Sequence, residues 1–173
     1  KRLECYTIKI TDANNNQDNT SSRQLNTRML VSDARYLHPM GINAYENKGV
    51  QPDIAAGIAE HQAAKEAYMQ AGIQIDTVAS PENCQAGVFT ANWGLTWNGR
   101  ALLSRLPNLR QAEEPYAESS LQSLGFETRR ASVLFSGQGD ALIIGGNRVL
   151  IGDGYRSDAK VASEIREWLG LEP

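Results

Sequence analysis

Four side chains have types that could run nucleophilic or metal chemistry: Cys5, Cys84, His38 and His61. Cys84 stands just before the run Gly87–Asn92, and His38 lies in a long loop, so a Cys/His hydrolase can be imagined. Such chemistry needs the base within roughly 3 Å of the nucleophile, and no motif beside either residue supplies that contact. A buried Cys is more often inert packing, and Cys5 carries no functional reading. His61, between Glu60 and Gln62 in a helical stretch, reads as a solvated surface residue. Two histidines and two cysteines without close spacing do not make a zinc site, so no metal and no cofactor is expected. Gly137-Gln138-Gly139 lacks the Lys-Ser/Thr of a phosphate loop and reads as a hairpin turn. Trp93 and Trp97, four apart on a strand segment, fall on one face and suit core packing or an interface between units. On residue type alone, Arg110 and Arg156 are surface arginines.

These residues sit in a chain of 173 residues, 41% hydrophobic and 21% charged, with 17 Lys+Arg against 20 Asp+Glu. That length suits one domain of the usual ~100–200 residues. A net charge of −3 gives no electrostatic footprint for nucleic acid or an anionic membrane. No apolar run approaches the ~20 residues of a membrane span, and the sparse cysteines fit a reducing cytoplasm.

Alternation predicts a strand over Cys5–Ile10, then a polar loop over 12–26 centred on Asn14-Asn15-Asn16. A second strand is expected over 28–32, followed by a loop over 33–51. A helix follows, with Pro52 in its first turn, Asp53 complementing its dipole and Gly72 ending it. Its apolar stripe is Ile54, Ile58, Ala64, Ala67, Tyr68 and Ala71. Strands are then expected over 73–79, 87–92, 95–97 and 100–104, with a tight turn at Asn98-Gly99. A second helix covers about 113–124 and stops at Gly125; strands follow over 126–134, 141–144 and 149–151, with a tight turn at Gly145-Gly146-Asn147, then a helix that starts after Ser157-Asp158 and runs to about Leu169.

The stopping glycines Gly72 and Gly125, and the turn glycines Gly99 and Gly146, each repeat at about 50 residues, the mark of modules that bury their faces on one another. The chain would hold two modules and the opening helix of a third. A ring cut there would expose a sheet edge, so the sequence reads as an unfinished ring.

Three motif regions fall at strand ends: Val88-Phe89-Thr90-Ala91-Asn92; Arg110-Gln111-Ala112-Glu113-Glu114-Pro115; and Gly137-Gln138-Gly139-Asp140-Ala141 paired with Gly152-Asp153-Gly154-Tyr155-Arg156-Ser157-Asp158. In this order they resemble the dimethylargininase-like branch of the guanidino-group-modifying enzymes, the pentein superfamily. Ile42-Asn43 resembles a further stretch of that family's first loop. The resemblance covers about residues 27–169. It implies an α/β pentein-type propeller of five modules around one site, with a covalent Cys adduct, a His acid/base and carboxylates gripping the cation. A guanidinium stays protonated and needs acceptors in a planar fork, while attack on its carbon needs a thiolate.

Carried over by residue, Phe89 and Asn92 match a substrate-contacting segment, Arg110 and Arg156 match arginines that hold the substrate's carboxylate, and Asp140 matches the Asp of a Gly-x-Gly-Asp turn. Ala86 and Ser136 stand where the family has acidic residues, so two negative charges are missing. The family's His-x-Asp motif and its late Cys lie beyond the equivalent of Pro173, leaving no catalytic residue here. The expectation is the N-terminal, substrate-binding part (27–173, with 1–26 of unclear role) of a cytoplasmic guanidino hydrolase. Its partners would be an arginine-like small molecule and the missing C-terminal portion or a complementary chain, with no nucleic acid and no membrane. The rivals are a pentein-fold binding or assembly module without chemistry, and a small enzyme built on Cys84.

Overall fold

The computed structural model describes residues 8–10, 27–38 and 52–173. The polar loop 12–26, Ile42-Asn43 and Cys5 lie outside the described residues. One topology recurs through the rest. An antiparallel pair, β1 (Ile8–Ile10) and β2 (Arg28–Val31), is followed by α1 (Ile54–Gln70) and by β3 (Gln74–Thr77), which runs parallel to β2. The hairpin β4 (Gly94–Trp97) and β5 (Arg100–Leu103) is followed by α2 (Glu114–Ser123) and β6 (Glu127–Arg130), parallel to β5. The hairpin β7 (Ala141–Gly145) and β8 (Arg148–Ile151) leads into α3 (Val161–Leu169), after which Glu172 bridges Arg148 in parallel.

The expected unit opened on a helix; the sheets show that it opens on a hairpin. A parallel strand pair needs a long crossover, so each helix joins two strands of its own sheet. The second strands align by register as Arg28-Met29-Leu30-Val31, Arg100-Ala101-Leu102-Leu103 and Arg148-Val149-Leu150-Ile151. Their arginines stand opposite Gln74, Glu127 and Glu172. Among the described residues the sheets do not close into a barrel.

Local chemistry accounts for the boundaries. Asp53 is the N-cap of α1, its carboxylate accepting from the Ala56 N–H at 3.0 Å. Pro52 therefore precedes the helix instead of lying in its first turn. Asn98 (φ 48°) and Gly99 (φ 75°) make the expected two-residue hairpin turn. The strand expected over 87–92 is absent. Cys84, Gly87, Phe89 and Asn92 each donate their N–H to the carbonyl three residues back, at 2.9–3.0 Å, coiling the segment into tight turns that end in the 3₁₀ turn Thr90–Trp93. Gly137–Gly139 is likewise a 3₁₀ turn leading into β7, not a hairpin turn. The strand expected over 126–134 ends at Arg130, because the Ser132 N–H turns to the Glu164 carboxylate at 3.0 Å.

Two apolar clusters tie the units together. One joins Leu30 of β2 and Ala101 and Leu103 of β5 to Ala117 and Leu121 of α2, with Trp93 at its centre. The other joins Leu95 and Leu102 to Val161, Ile165 and Leu169 of α3 and to Ala141 and Val149. Trp93 and Trp97 therefore serve different clusters, because the turn at Trp93 breaks the strand that would have aligned them.

α1 differs from its expected stripe. Its buried residues are Gly57 and His61, while Ile58, Ala67 and Ala71 face outward. His61 is 8% exposed, so it is a packed residue instead of a solvated one. Its Nε2 has no partner among the described residues. Burial lowers its pKa below the ordinary 6.5; Lys65 adds to that effect and Asp33 opposes it. The unfolded chain then binds this proton more readily than the fold does. Stability from His61 is complete above pH 6.5 and is lost as pH falls toward the depressed folded value. His61→Leu should remove that slope. Urea midpoints at pH 7.5 and pH 5 should show the variant gaining on the parent toward acid, and a constant difference would count against it.

Candidate functional site

Asn92, Arg110, Asp140 and Arg156 come from four separate segments and meet in one hydrogen-bonded network. Arg110 ends a turn of the 3₁₀ segment Asn108–Glu113, where the i,i+3 spacing sets it beside Glu113. Its Nε and Nη2 donate to the two Glu113 carboxylate oxygens at 2.7 and 2.6 Å, a fork-on-fork pair. Nη2 also donates to the Ala86 carbonyl at 3.2 Å, and Nη1 to Asn92 Oδ1 at 2.8 Å. The second Glu113 oxygen accepts from the Trp93 indole at 2.9 Å. Arg110 is 8% exposed and Glu113 1%, so water competes little for this pair.

Asn92 links the two halves of the site. Its Nδ2 donates to the Ser136 carbonyl at 3.1 Å. The Ser136 N–H donates to Ser157 Oγ at 3.1 Å, and Ser157 Oγ donates to Asp140 Oδ2 at 2.7 Å. Asp140 Oδ1 accepts from Arg156 Nη2, which also donates to the Gly139 carbonyl at 3.2 Å. A side chain at Gly139 would run into the Asn92 amide, so the close approach of these segments depends on glycine.

Arg156 is the open end of the network. Its side chain keeps 40% of its surface, and its Nε and Nη1 carry no bond among the described residues. Phe89 is half-buried one turn before Asn92, whose N–H it accepts at 3.0 Å. The two positions without the family's carboxylates are both enclosed: Ala86 is 7% exposed and Ser136 1%. Sequence reasoning gave no role to Glu113, Ser136 or Ser157. The Arg110/Glu113 spacing was the available signal for Glu113, whereas the Ser136–Ser157 contact joins segments that only the fold brings together.

Cys84 is buried beside this network, its thiol donating to Asn83 Oδ1 at 3.6 Å. Burial first, and Glu113 second, push its pKa up to about 11 against the opposing pull of Arg110. A thiol so placed is protonated at neutral pH and is no nucleophile. An open groove of about 610 Å³ is lined by Arg35, Tyr36, His38, Gln85 and Leu109 among others, and none of Phe89, Asn92, Arg110, Asp140 and Arg156 lines it. Gln85 and Leu109 immediately precede Ala86 and Arg110. No group of His, Cys, Asp and Glu among the described residues could hold a metal ion, and none of the described helices is long and apolar enough to cross a membrane.

No protein-family model matches the chain. A curated relative, the N(G),N(G)-dimethylarginine dimethylaminohydrolase of Mycobacterium tuberculosis, is 29% identical over 131 residues, spanning 75% of this chain and 43% of that protein. The chain thus spans less than half the length of this relative. Among solved structures, the substrate-bound N-terminal domain of ArgZ, an arginine dihydrolase from cyanobacteria, matches with a TM-score of 0.77 and 25% identity. That match covers 84% of this chain and 55% of the other. A dimethylarginine dimethylaminohydrolase adduct shares the fold at a TM-score of 0.67 and 21% identity, over 84% of this chain and 58% of the other. The chain is homologous to a dimethylarginine dimethylaminohydrolase and shares the α/β fold of the arginine dihydrolases, relationships consistent with a pentein-type guanidino-modifying enzyme.

Proposed function

We propose that this chain is the N-terminal, substrate-binding part of a hydrolase acting on a guanidino C–N bond of an arginine-like molecule. The observation that carries the proposal is the network itself. It delivers Asn92, Arg110, Asp140 and Arg156 to one place from four segments, in a chain whose relatives hydrolyse arginine or dimethylarginine by their names. Arg156, whose Nε and Nη1 carry no bond among the described residues and whose side chain is 40% exposed, suits the substrate's carboxylate. Arg110, nearly all of whose donors are taken, acts on the ligand mainly by holding Asn92 in position. Phe89 lies at the rim of the network and supplies an apolar contact.

In this reading the reaction is attack of a thiolate on the guanidinium carbon, loss of the amine and hydrolysis of the adduct by water. Cys84 cannot start it at neutral pH, which removes support from the small-enzyme rival. The nucleophile and the base come instead from polypeptide beyond this chain, as the remainder of the same enzyme or a complementary chain. In the second reading the chain is a pentein-fold binding module without chemistry. That reading is favoured by the enclosed Ala86 and Ser136, which bring no negative charge to a bound cation.

Calorimetry with arginine, methylated arginines and citrulline tests both. Arg156→Ala should weaken binding about tenfold or more, the worth of a charge-assisted bond. Equal affinity in the variant removes Arg156 from the site. Preference for citrulline over the cationic ligands would favour the module without chemistry.

A further inference from the structure

A guanidinium that meets a carboxylate settles readily into a fork-on-fork pair, which takes two of its nitrogens. Arg110 and Glu113 do this, with Nε and Nη2 on the two carboxylate oxygens. Asp140 and Arg156, in the same network, do not. Asp140 Oδ1 accepts from Arg156 Nη2, which also donates to the Gly139 carbonyl. Asp140 Oδ2 accepts instead from Ser157 Oγ at 2.7 Å. The Asp140 side chain is 13% exposed, so water competes little for either oxygen.

The Ser157 hydroxyl has a fixed direction. It is buried, and its oxygen accepts the Ser136 N–H at 3.1 Å, which leaves its own hydrogen for Asp140. Without that hydrogen, Oδ2 would be an enclosed carboxylate oxygen with no donor among the described residues, a costly state. A carboxylate turns easily about its last bond, and the guanidinium that Oδ1 already holds has donors within that turn. Asp140 would then take a second nitrogen of Arg156. Nε and Nη1 carry no bond among the described residues, and one of them would be lost to an incoming ligand.

We propose that Ser157 is a positioning residue: by occupying Asp140 Oδ2 it restricts Asp140 to one bond with Arg156, and so keeps Nε and Nη1 available to the carboxylate of a ligand. The inference rests on the reading of Arg156 as the carboxylate anchor. Asp140 and the ligand's carboxylate compete for one guanidinium, and the hydroxyl sets the share that each receives. Ser157 acts through Asp140 and touches no ligand itself. The loop around it is held by other bonds. The Gly154 N–H donates to the Ser157 carbonyl at 2.9 Å, the Asp158 N–H to the Leu134 carbonyl at 2.8 Å, and Ser136 Oγ to the Arg156 carbonyl at 3.2 Å. Loss of the hydroxyl should therefore leave the backbone in place.

The test compares arginine with agmatine, the same guanidinium and chain without the carboxylate, by calorimetry. The parent should bind arginine at least about tenfold more tightly, the worth of a charge-assisted bond. Ser157→Ala should lower that ratio about tenfold by losing arginine affinity, with agmatine affinity unchanged. On an Asp140→Asn background, where a single acceptor oxygen faces Arg156, adding Ser157→Ala should lower the ratio no further. Ser157→Cys keeps a side chain of similar size and only a weak donor. It should show a smaller loss of the same kind, and it carries the comparison if the alanine variant does not fold. An unchanged ratio in these variants would overturn the proposal. So would equal weakening of both ligands, which marks a merely structural role, or a further fall on the Asp140→Asn background. A parent that binds the two ligands equally, or neither, would instead remove Arg156 as the carboxylate anchor, and this inference with it.

Discussion

Arg110→Ala should destabilise the chain by about 3–5 kcal/mol, the cost of removing one partner from a buried ion pair. The loss is large because of what remains. Glu113, 1% exposed, would keep a carboxylate with only the Trp93 indole to receive among the described residues, and the Asn92 side-chain carbonyl would lose the Arg110 donor. A fold of this size has about 5–15 kcal/mol in total, so the variant would be marginal. Urea unfolding with an unchanged m-value should show the shift. Arg110→Met combined with Glu113→Gln should recover part of it, because the buried charge is then gone. A single-variant loss below about 1 kcal/mol would mean that the pair behaves as a solvated surface bridge. The same substitution should abolish ligand binding even where the protein still folds, since Asn92 is aligned by Arg110.

Gly137→Ala should cost about 2–4 kcal/mol for two separable reasons. Gly137 sits at φ +57°, where a side chain costs roughly 1 kcal/mol or more. An added Cβ would also lie 2.7 Å from both the N and the O of Gly94 and 2.8 Å from the Ala91 carbonyl, all backbone atoms with little freedom to move. Overpacking of that kind adds about 1–3 kcal/mol. Gly146 provides the control. It has the same φ of +57° and open space around its Cβ position, so Gly146→Ala should show the backbone strain alone. Equal losses at the two positions would show that the Gly137 turn has room to shift. The Gly137 variant should also weaken ligand binding, because the turn carries the Ser136 carbonyl that accepts from Asn92.

Much of the secondary structure was legible because its signals are local. Asn98-Gly99 dictates a turn with two positive φ values, and Gly72 and Gly125 end helices in the same way. The period near fifty residues was visible in those glycines, but its phase was not. Which strand pairs with which is decided by the crossover geometry of α1 and α2, not by alternation within a strand. The segment 87–92 misled because Val88 and Phe89 suggest a strand, while the short residues on either side of them, Ala86, Gly87, Thr90 and Ala91, allow three-residue turns that only tertiary packing selects. His61 misled for a related reason: flanked by Glu60 and Gln62, it faces inward beside Gly57, where a larger neighbour would have revealed a stripe.

The site followed the same division. Motif order brought Asn92, Arg110, Asp140 and Arg156 into view, yet their partners came from the fold. Glu113 was readable in principle from its spacing to Arg110. Ser157 and Ser136 were not, because their contact spans 21 positions and depends on how the β7–β8 hairpin returns to its start.

α2 packs on Ala101 and Leu103 of its own hairpin and on Leu30 of the preceding one, and α3 on Val149 of its own and on Leu95 and Leu102 of the preceding one, which gives this architecture a direction. A unit added at the C-terminal side arrives with the helix that its predecessor needs. Duplication of a whole unit can therefore lengthen such a chain without redesign of its contacts. An internal cut through a hairpin instead uncovers two helices at once.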